Sequence, residues 1–175
     1  MTSSPKIPGV IGSRAYMGNS DGPSPKPRAG TTEFIRQSIH ACHALWGNGS
    51  WALRDQRSRP GVLSVHATGR ACDLSWRDIP GERGVAGGRP LVLAYLNTIT
   101  ANANTLGIEY VADYWPTKFG RAWRCDRQAW KRYTSRVISG APGGDWVHIE
   151  LNTAMSVSPM AVKAAFLKVF GDCQK

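Results

Sequence analysis

His66 and Asp73 stand seven positions apart in Ser64-Val65-His66-Ala67-Thr68-Gly69-Arg70-Ala71-Cys72-Asp73. They offer a nitrogen and an oxygen donor, a pair that suits a borderline-soft divalent ion such as Zn2+. Fully extended, the intervening chain would hold them more than ~20 Å apart. A shared ion therefore requires the backbone to fold back between them, and Thr68-Gly69 is where it can turn. On an expected strand before the turn Ser64 and His66 share a face; on the strand after it Ala71, Asp73 and Ser75 share one. Small Ala71 leaves room for an ion, and Ser64 can steady a ligand from behind.

A third ligand must come from elsewhere in the chain. Of the four histidines, the informative one is His148, in Gly143-Gly144-Asp145-Trp146-Val147-His148-Ile149-Glu150-Leu151. A His, Asp, His set leaves a fourth tetrahedral position open for water, the arrangement of a catalytic zinc. Asp145, three residues before His148, can be offered to that water as a base. It must lie at a loop-strand junction, because three residues along a straight strand would put it on the opposite face. Glu150 shares the His148 face and could support the ligands, although a surface carboxylate is its ordinary reading. His40 and His43, three apart on an expected helix, could also share a metal. They flank a buried stripe and read better as partly exposed histidines.

The pattern Ser64-x-His66-x-x-Gly69-x-Ala71-x-Asp73 followed by Asp145-x-x-His148 resembles the zinc D-Ala-D-Ala carboxypeptidase and L-alanyl-D-glutamate endopeptidase family. Those enzymes cut the peptide stems of bacterial peptidoglycan. The acid is Asp145 rather than glutamate and Trp146 sits one place early, which looks more like the phage endolysin branch. The resemblance covers roughly Trp51 to Leu151. It implies one zinc held by His66, Asp73 and His148, with Asp145 as base. It also implies an arginine upstream of the first motif that steadies a carboxylate or the developing oxyanion. The Trp51-x-x-Arg54 spacing makes Arg54 the first choice and Arg57 the second, and a solvated strand face would account for either. A guanidinium suits the task because its rigid fork grips carboxylates bidentately. Arg57, Ser64 and Trp146 are further candidates for substrate contact.

Composition sets the frame for this chemistry. The 175 residues suit one domain with a sizeable core, and a hydrophobic fraction of 42% with seven Trp argues for a folded chain. A formal net charge of +10 favours polyanions: nucleic acid, anionic membrane or an acidic wall polymer. Cys42, Cys72, Cys125 and Cys173 are widely spaced, without a C-x-x-C pair, and read as reduced thiols of a protein made in a cytoplasm. No run approaches the ~18 apolar residues of a transmembrane helix, and Met1 to Gly30 has no apolar core of a signal peptide.

The elements that must position these residues follow from periodicity. Met1 to Gly30, rich in Ser, Pro, Gly and Lys, reads as a flexible basic arm, with the catalytic domain occupying 31–175. A helix is expected from Thr31 or Thr32 to about Trp46, with Ile35, Ile39, Cys42 and Trp46 as its apolar stripe. A second runs from Arg89-Pro90 to near Gly107, after a loop over Gly81 to Gly88. A third opens at Ser158-Pro159 with Met160, Val162, Phe166, Leu167 and Phe170 as packing residues. Strands are expected near 51–57, 61–66, 71–75, 108–115 and 146–151. Gly120 to Ser139 interleaves basic residues with Trp123, Trp130 and Tyr133 and reads as the wall-facing rim of a cleft. Plain structural aromatics with solvated charges fit it equally.

These readings converge on an α+β fold: a small, mainly antiparallel sheet with about three helices on one side and a zinc cleft on the other. The expected function is an endolysin-like zinc peptidase acting at L-Ala-D-Glu, with D-Ala-D-Ala carboxypeptidase as the alternative within the family. Its partners would be peptidoglycan and anionic wall polymers. The chain would act as a monomer, released late from the cytoplasm of a phage-infected host by a holin-type route. A non-catalytic zinc or wall-binding module is the main rival, and Asp145 speaks against it, since a binder needs no acid there. A nucleic-acid binder would leave the histidines and Asp73 without a role, so no nucleic-acid partner is expected.

Overall fold

The protein is described by a computed structural model over residues 13–57, 59–77, 87–116, 118–135 and 144–171. Six strands form the main sheet: β1 (Trp46–Gly49), β4 (Ala71–Ser75), β5 (Ile108–Asp113), β6 (Arg121–Arg124), β7 (Ala129–Arg132) and β8 (Trp146–Leu151). Their order is β1-β4-β8-β5-β6-β7, and every neighbouring pair is antiparallel. With α1 (Ala29–Ala41), α2 (Arg89–Ala101), α3 (Ala103–Leu106), α4 (Thr153–Val157) and α5 (Pro159–Phe170), the fold is α+β, as expected.

Alternation along the central strands decides what each face does. On β8, Val147, Ile149 and Leu151 are buried in the core with Cys72 and Leu74 of β4 and with Phe34, Leu96, Ile99 and Phe166 of the helices. The other residues of the same strands, Trp146, His148 and Glu150 on β8 and Asp73 on β4, line a cavity. One irregularity re-aims β5: Ile108 is opposite Leu151 but Tyr110 is opposite Glu150, so Glu109 is the extra residue of a bulge. The bulge lets Ile108 and Val111 both enter the core while Tyr110 lines the cavity. Glu109 turns instead to buried Arg70, at 3.1 Å.

Several expectations change in detail. The first helix stops at Ala41, and Trp46 opens β1. Its buried residues are Gly30, Thr31, Phe34 and Ser38, whereas Ile39 is 37% exposed. The buried stripe follows the helix's actual partners. Phe34 meets Phe166 edge-on at 5.2 Å, Ser38 accepts from the Tyr95 hydroxyl, and Gly30 lies against α4, where a Cβ would fall 2.1 Å from Met155 O. The second expected helix breaks at Asn102, whose side-chain amide competes for the Thr98 carbonyl. The described residues thus hold five helices where three were expected. Of the expected strand 51–57, only Asp55–Gln56 (β2) is regular. It pairs with β3 (Arg59–Leu63) in a separate two-stranded sheet. The expected strand 61–66 ends at Leu63, because the chain then coils into a 3-10 turn, Val65–Thr68.

The expected arm at 1–30 is corrected where it is described, while residues 1–12 lie outside the described residues. Residues 13–28 are strapped onto the domain. Arg14 Nη2 donates to Ile108 O, Asn19 Nδ2 to Leu63 O and Ser24 N to Ala67 O. Asp21 pairs with both Arg28 and Arg70, at 2.7 and 2.9 Å. Low apolar content suggested a mobile segment; side-chain and backbone hydrogen bonds to distant carbonyls hold it instead. The loop expected at Gly81 to Gly88 lies mostly outside the described residues, as do Gly143, Arg136 and Cys173. Cys42, Cys72 and Cys125 are buried thiols without disulfides. Among the described residues no helix is long and apolar enough to cross a membrane.

Candidate metal centre

Three side chains from separate elements converge in the lining of a cavity of about 530 Å³. Their donor atoms all lie within 4.8 Å of one another: His66 on the 3-10 turn, Asp73 on β4 and His148 on β8. Asp73 and His148 are directly opposed in the antiparallel ladder, which places their side chains on one face at one level. His66 reaches the same point because the chain folds back through Gly69, as its spacing from Asp73 demanded. Gly69 adopts φ +74, and its N–H closes the turn on the His66 carbonyl at 3.0 Å. An added Cβ there would meet Arg28 Cγ at 2.9 Å and Lys26 O at 3.0 Å, so glycine is required twice over.

The turn replaces the expected strand and changes Ser64's task. Ser64 caps the turn, its Oγ accepting from the His66 N–H at 3.3 Å. It therefore fixes the backbone that carries His66 and does not sit behind the imidazole. That place is taken by the Ser50 carbonyl, 3.2 Å from His66 Nδ1. A carbonyl can only accept, so His66 Nδ1 carries a proton toward it. Its other ring nitrogen, Nε2, faces Asp73 Oδ1 at 3.4 Å.

His148 is held from both sides. Its Nδ1 lies 2.9 Å from Asp73 Oδ1, and its Nε2 lies 3.0 Å from Glu150 Oε1. Burial alone would lower its pKa, but the hydrogen bonds and charges of Asp73 and Glu150 prevail and raise it to about 10. For Asp73, burial acts upward, yet the bonds from His148 and His66 outweigh it and hold the carboxyl well below the usual range. Glu150, only 5% exposed, is in turn gripped by the Tyr16 hydroxyl at 2.7 Å. Burial and this carboxylate raise the Tyr16 pKa, so its hydroxyl stays a donor.

Arg54 and Arg57 both line the cavity, as do Arg59 and Arg124. Ser64 and Trp146 also line it, and Trp146 packs on Tyr114 with ring centroids 4.1 Å apart. Asp145 is not brought to the cluster. Its two carboxylate oxygens each accept from Arg77 at 2.9 Å, and its backbone carbonyl accepts from Ser75 Oγ and Trp76 N. These contacts fix it at the junction before β8, facing Arg77 rather than the cavity. His40 and His43 are exposed and belong to no cluster of three donors among the described residues.

The segment from Gly120 divides. Arg124 faces the cavity, and Tyr133 reaches it through a 2.7 Å bond to Tyr110. Trp123 is buried in the core and Trp130 packs against it, so those two rings are structural and not a rim. Tyr16, Tyr110, Tyr114 and Arg59 had no local motif to mark them. For Glu150 the signal was present, since His-x-Glu on a strand puts both side chains on one face.

The fold and site thus define an α+β protein with a His, Asp, His cluster in the lining of a cavity that Arg54, Arg57, Arg59 and Arg124 also line. No family model matches the chain, and comparisons with curated proteins and with solved structures return no significant match.

Proposed function

We propose that the chain is a zinc-dependent peptidase of the bacterial cell wall that hydrolyses a peptidoglycan stem, at L-Ala-D-Glu. The observation that carries this reading is the convergence of His66 Nε2, Asp73 Oδ1 and His148 Nδ1 on one point. Two nitrogens and one carboxylate oxygen suit Zn2+. Both imidazoles have their remaining nitrogen on an oxygen acceptor, Ser50 O or Glu150 Oε1, as metal-ligating histidines commonly do. The residues therefore fit the ion.

Bound Zn2+ supplies Lewis acidity toward a scissile carbonyl and toward the attacking water. The chain's own groups do the rest. Arg54 or Arg57 binds a carboxylate of the substrate and orients it in the cavity. Asp145 takes the proton from water and passes it to the leaving amine as the C–N bond breaks. For that it must leave Arg77, whose side chain is 50% exposed. The net charge of +10 would hold the protein on an anionic wall.

The Asp145–Arg77 pair also favours a second reading, a zinc-containing wall-binding module without turnover. Digestion of purified peptidoglycan, followed by mass spectrometry of the new termini, separates the two. Stems with a new D-Glu amino terminus support the endopeptidase. Loss of terminal D-Ala alone would make it a carboxypeptidase, and intact wall with bound protein would make it a binder.

A further inference from the structure

We propose that Tyr16, in the segment before α1, is a positioning residue of the metal centre that acts through Glu150 on His148. The inference rests on the metal-site reading above. The relay is continuous: the Tyr16 hydroxyl donates to Glu150 Oε2 at 2.7 Å, Glu150 Oε1 accepts from His148 Nε2 at 3.0 Å, and His148 Nδ1 faces Asp73 Oδ1 at 2.9 Å.

Each link has a physical task. A buried carboxylate with one oxygen unbonded is free to rotate and carries a desolvation cost. Tyr16 removes both, fixing Glu150 so that its other oxygen points at Nε2. A proton held at Nε2 leaves Nδ1 to serve as the ligand atom and sets the plane of the ring. Glu150 is opposite Ala71 on β4 and Tyr110 on β5. Neither of those residues bonds to its Oε2, so the hydroxyl must come from outside the sheet.

Tyr16 is itself held in place. The Arg124 guanidinium lies 5.0 Å over its ring, and the Tyr110 ring is 6.1 Å away. Two residues earlier, Arg14 anchors the strap through Nη2 to Ile108 O at 2.6 Å and Nε to Asn104 Oδ1 at 2.8 Å. The ring contacts are all available to phenylalanine, so Tyr16→Phe removes the hydroxyl and leaves the packing.

The test is zinc affinity, read by competition with a chromophoric chelator, for the unmutated chain, Tyr16→Phe, Glu150→Gln and the double variant. Groups that hold a ligand from behind are typically worth 10–100-fold in metal affinity. Tyr16→Phe should weaken zinc binding about tenfold and Glu150→Gln by at least as much. The double variant should be no weaker than Glu150→Gln alone, because the hydroxyl acts only through that carboxylate. A purely structural Tyr16 would lower the thermal midpoint of the chelator-treated protein without changing affinity. Unchanged affinity in Tyr16→Phe, or losses that multiply in the double variant, overturns the proposal while the metal site stands. An unmutated chain that binds no zinc overturns both.

Discussion

Asp73 and His148 stand directly opposite each other across the β4–β8 ladder, with Oδ1 and Nδ1 2.9 Å apart. Register, rather than a flexible loop, fixes this pair. The third donor, His66, arrives on a turn whose closure depends on one glycine. Loss of any of the three should therefore abolish the site without unfolding the sheet. Metal analysis should find one zinc per chain, and His66→Ala and His148→Ala should each lose it. Full zinc content in both variants would dismiss the assignment.

Asp145 and Glu150 are the two carboxylates nearest the chemistry in sequence, and the proposed reading gives them different tasks. At saturating zinc, Asp145→Asn should retain the ion yet lose about 10²–10⁴-fold in wall-digesting rate, as a lost general base does. An unaltered rate would move the base to Glu150. Zinc loss would instead make Asp145 a ligand.

Binding to the wall should weaken with salt. The charge of +10 acts through long-range attraction, and screening shortens its reach to about 8 Å at 0.15 M ionic strength and about 3 Å at 1 M. Sedimentation with purified wall should show retention falling steadily over that range, whereas zinc content should not change. Salt-independent retention would place the contact in the cavity and not on the general surface.

Asp21 ties the N-terminal strap to Arg70, whose side chain is fully buried. Burial pushes the Asp21 pKa up, but Arg70 and Arg28 prevail and lower it. A carboxyl depressed in the folded state contributes stability that is present above its unfolded value of about 3.9 and lost as pH falls through the folded pKa. Asp21→Asn should thus cost about 1–3 kcal/mol at neutral pH, the scale of a hydrogen bond to a charged group. Thermal melts of both proteins should converge as pH drops below about 4. A gap that persists undiminished in acid would assign the loss to packing.

Gly69→Ala should damage the site through the backbone. Left-handed φ costs a non-glycine residue roughly 1 kcal/mol or more, and the new Cβ would press on Arg28 and the Lys26 carbonyl. Reduced thermal stability together with weakened zinc binding is expected, since the turn carries His66. Parent-like values for both would show that the turn adapts.

What the sequence determined by itself was local. The spacing of His66, Gly69 and Asp73 required a reversal, and the alternation through Trp146 to Leu151 separated a core face from a site face. Both follow from backbone geometry within ten residues. Three donors of compatible chemistry could then be chosen, and the structure gathers them. The helical period of α2 was legible for the same reason, but that of α5 only in part. Val162 and Phe166 are buried and Phe170 packs on the core, whereas Met160 and Leu167, also expected to pack, are 81% and 55% exposed.

What only the tertiary structure decided involves partners far apart in the chain. Ile35, Ile39, Cys42 and Trp46 looked like the buried stripe of α1. Cys42 does enter the core and Ile35 packs against it, but Ile39 is exposed and Trp46 lies on β1, while α4, α5 and α2 cover the Gly30–Phe34–Ser38 side. Periodicity gives a stripe, while the neighbours choose which one is covered. Asp145 kept its place before β8, yet Arg77, 68 residues away, turned its carboxylate from the cavity. Tyr16 lay in a segment whose composition suggested mobility, and its hydroxyl meets Glu150 across 134 residues. No local pattern encodes such a contact, because it exists only once the sheet has closed and set the height at which each side chain emerges.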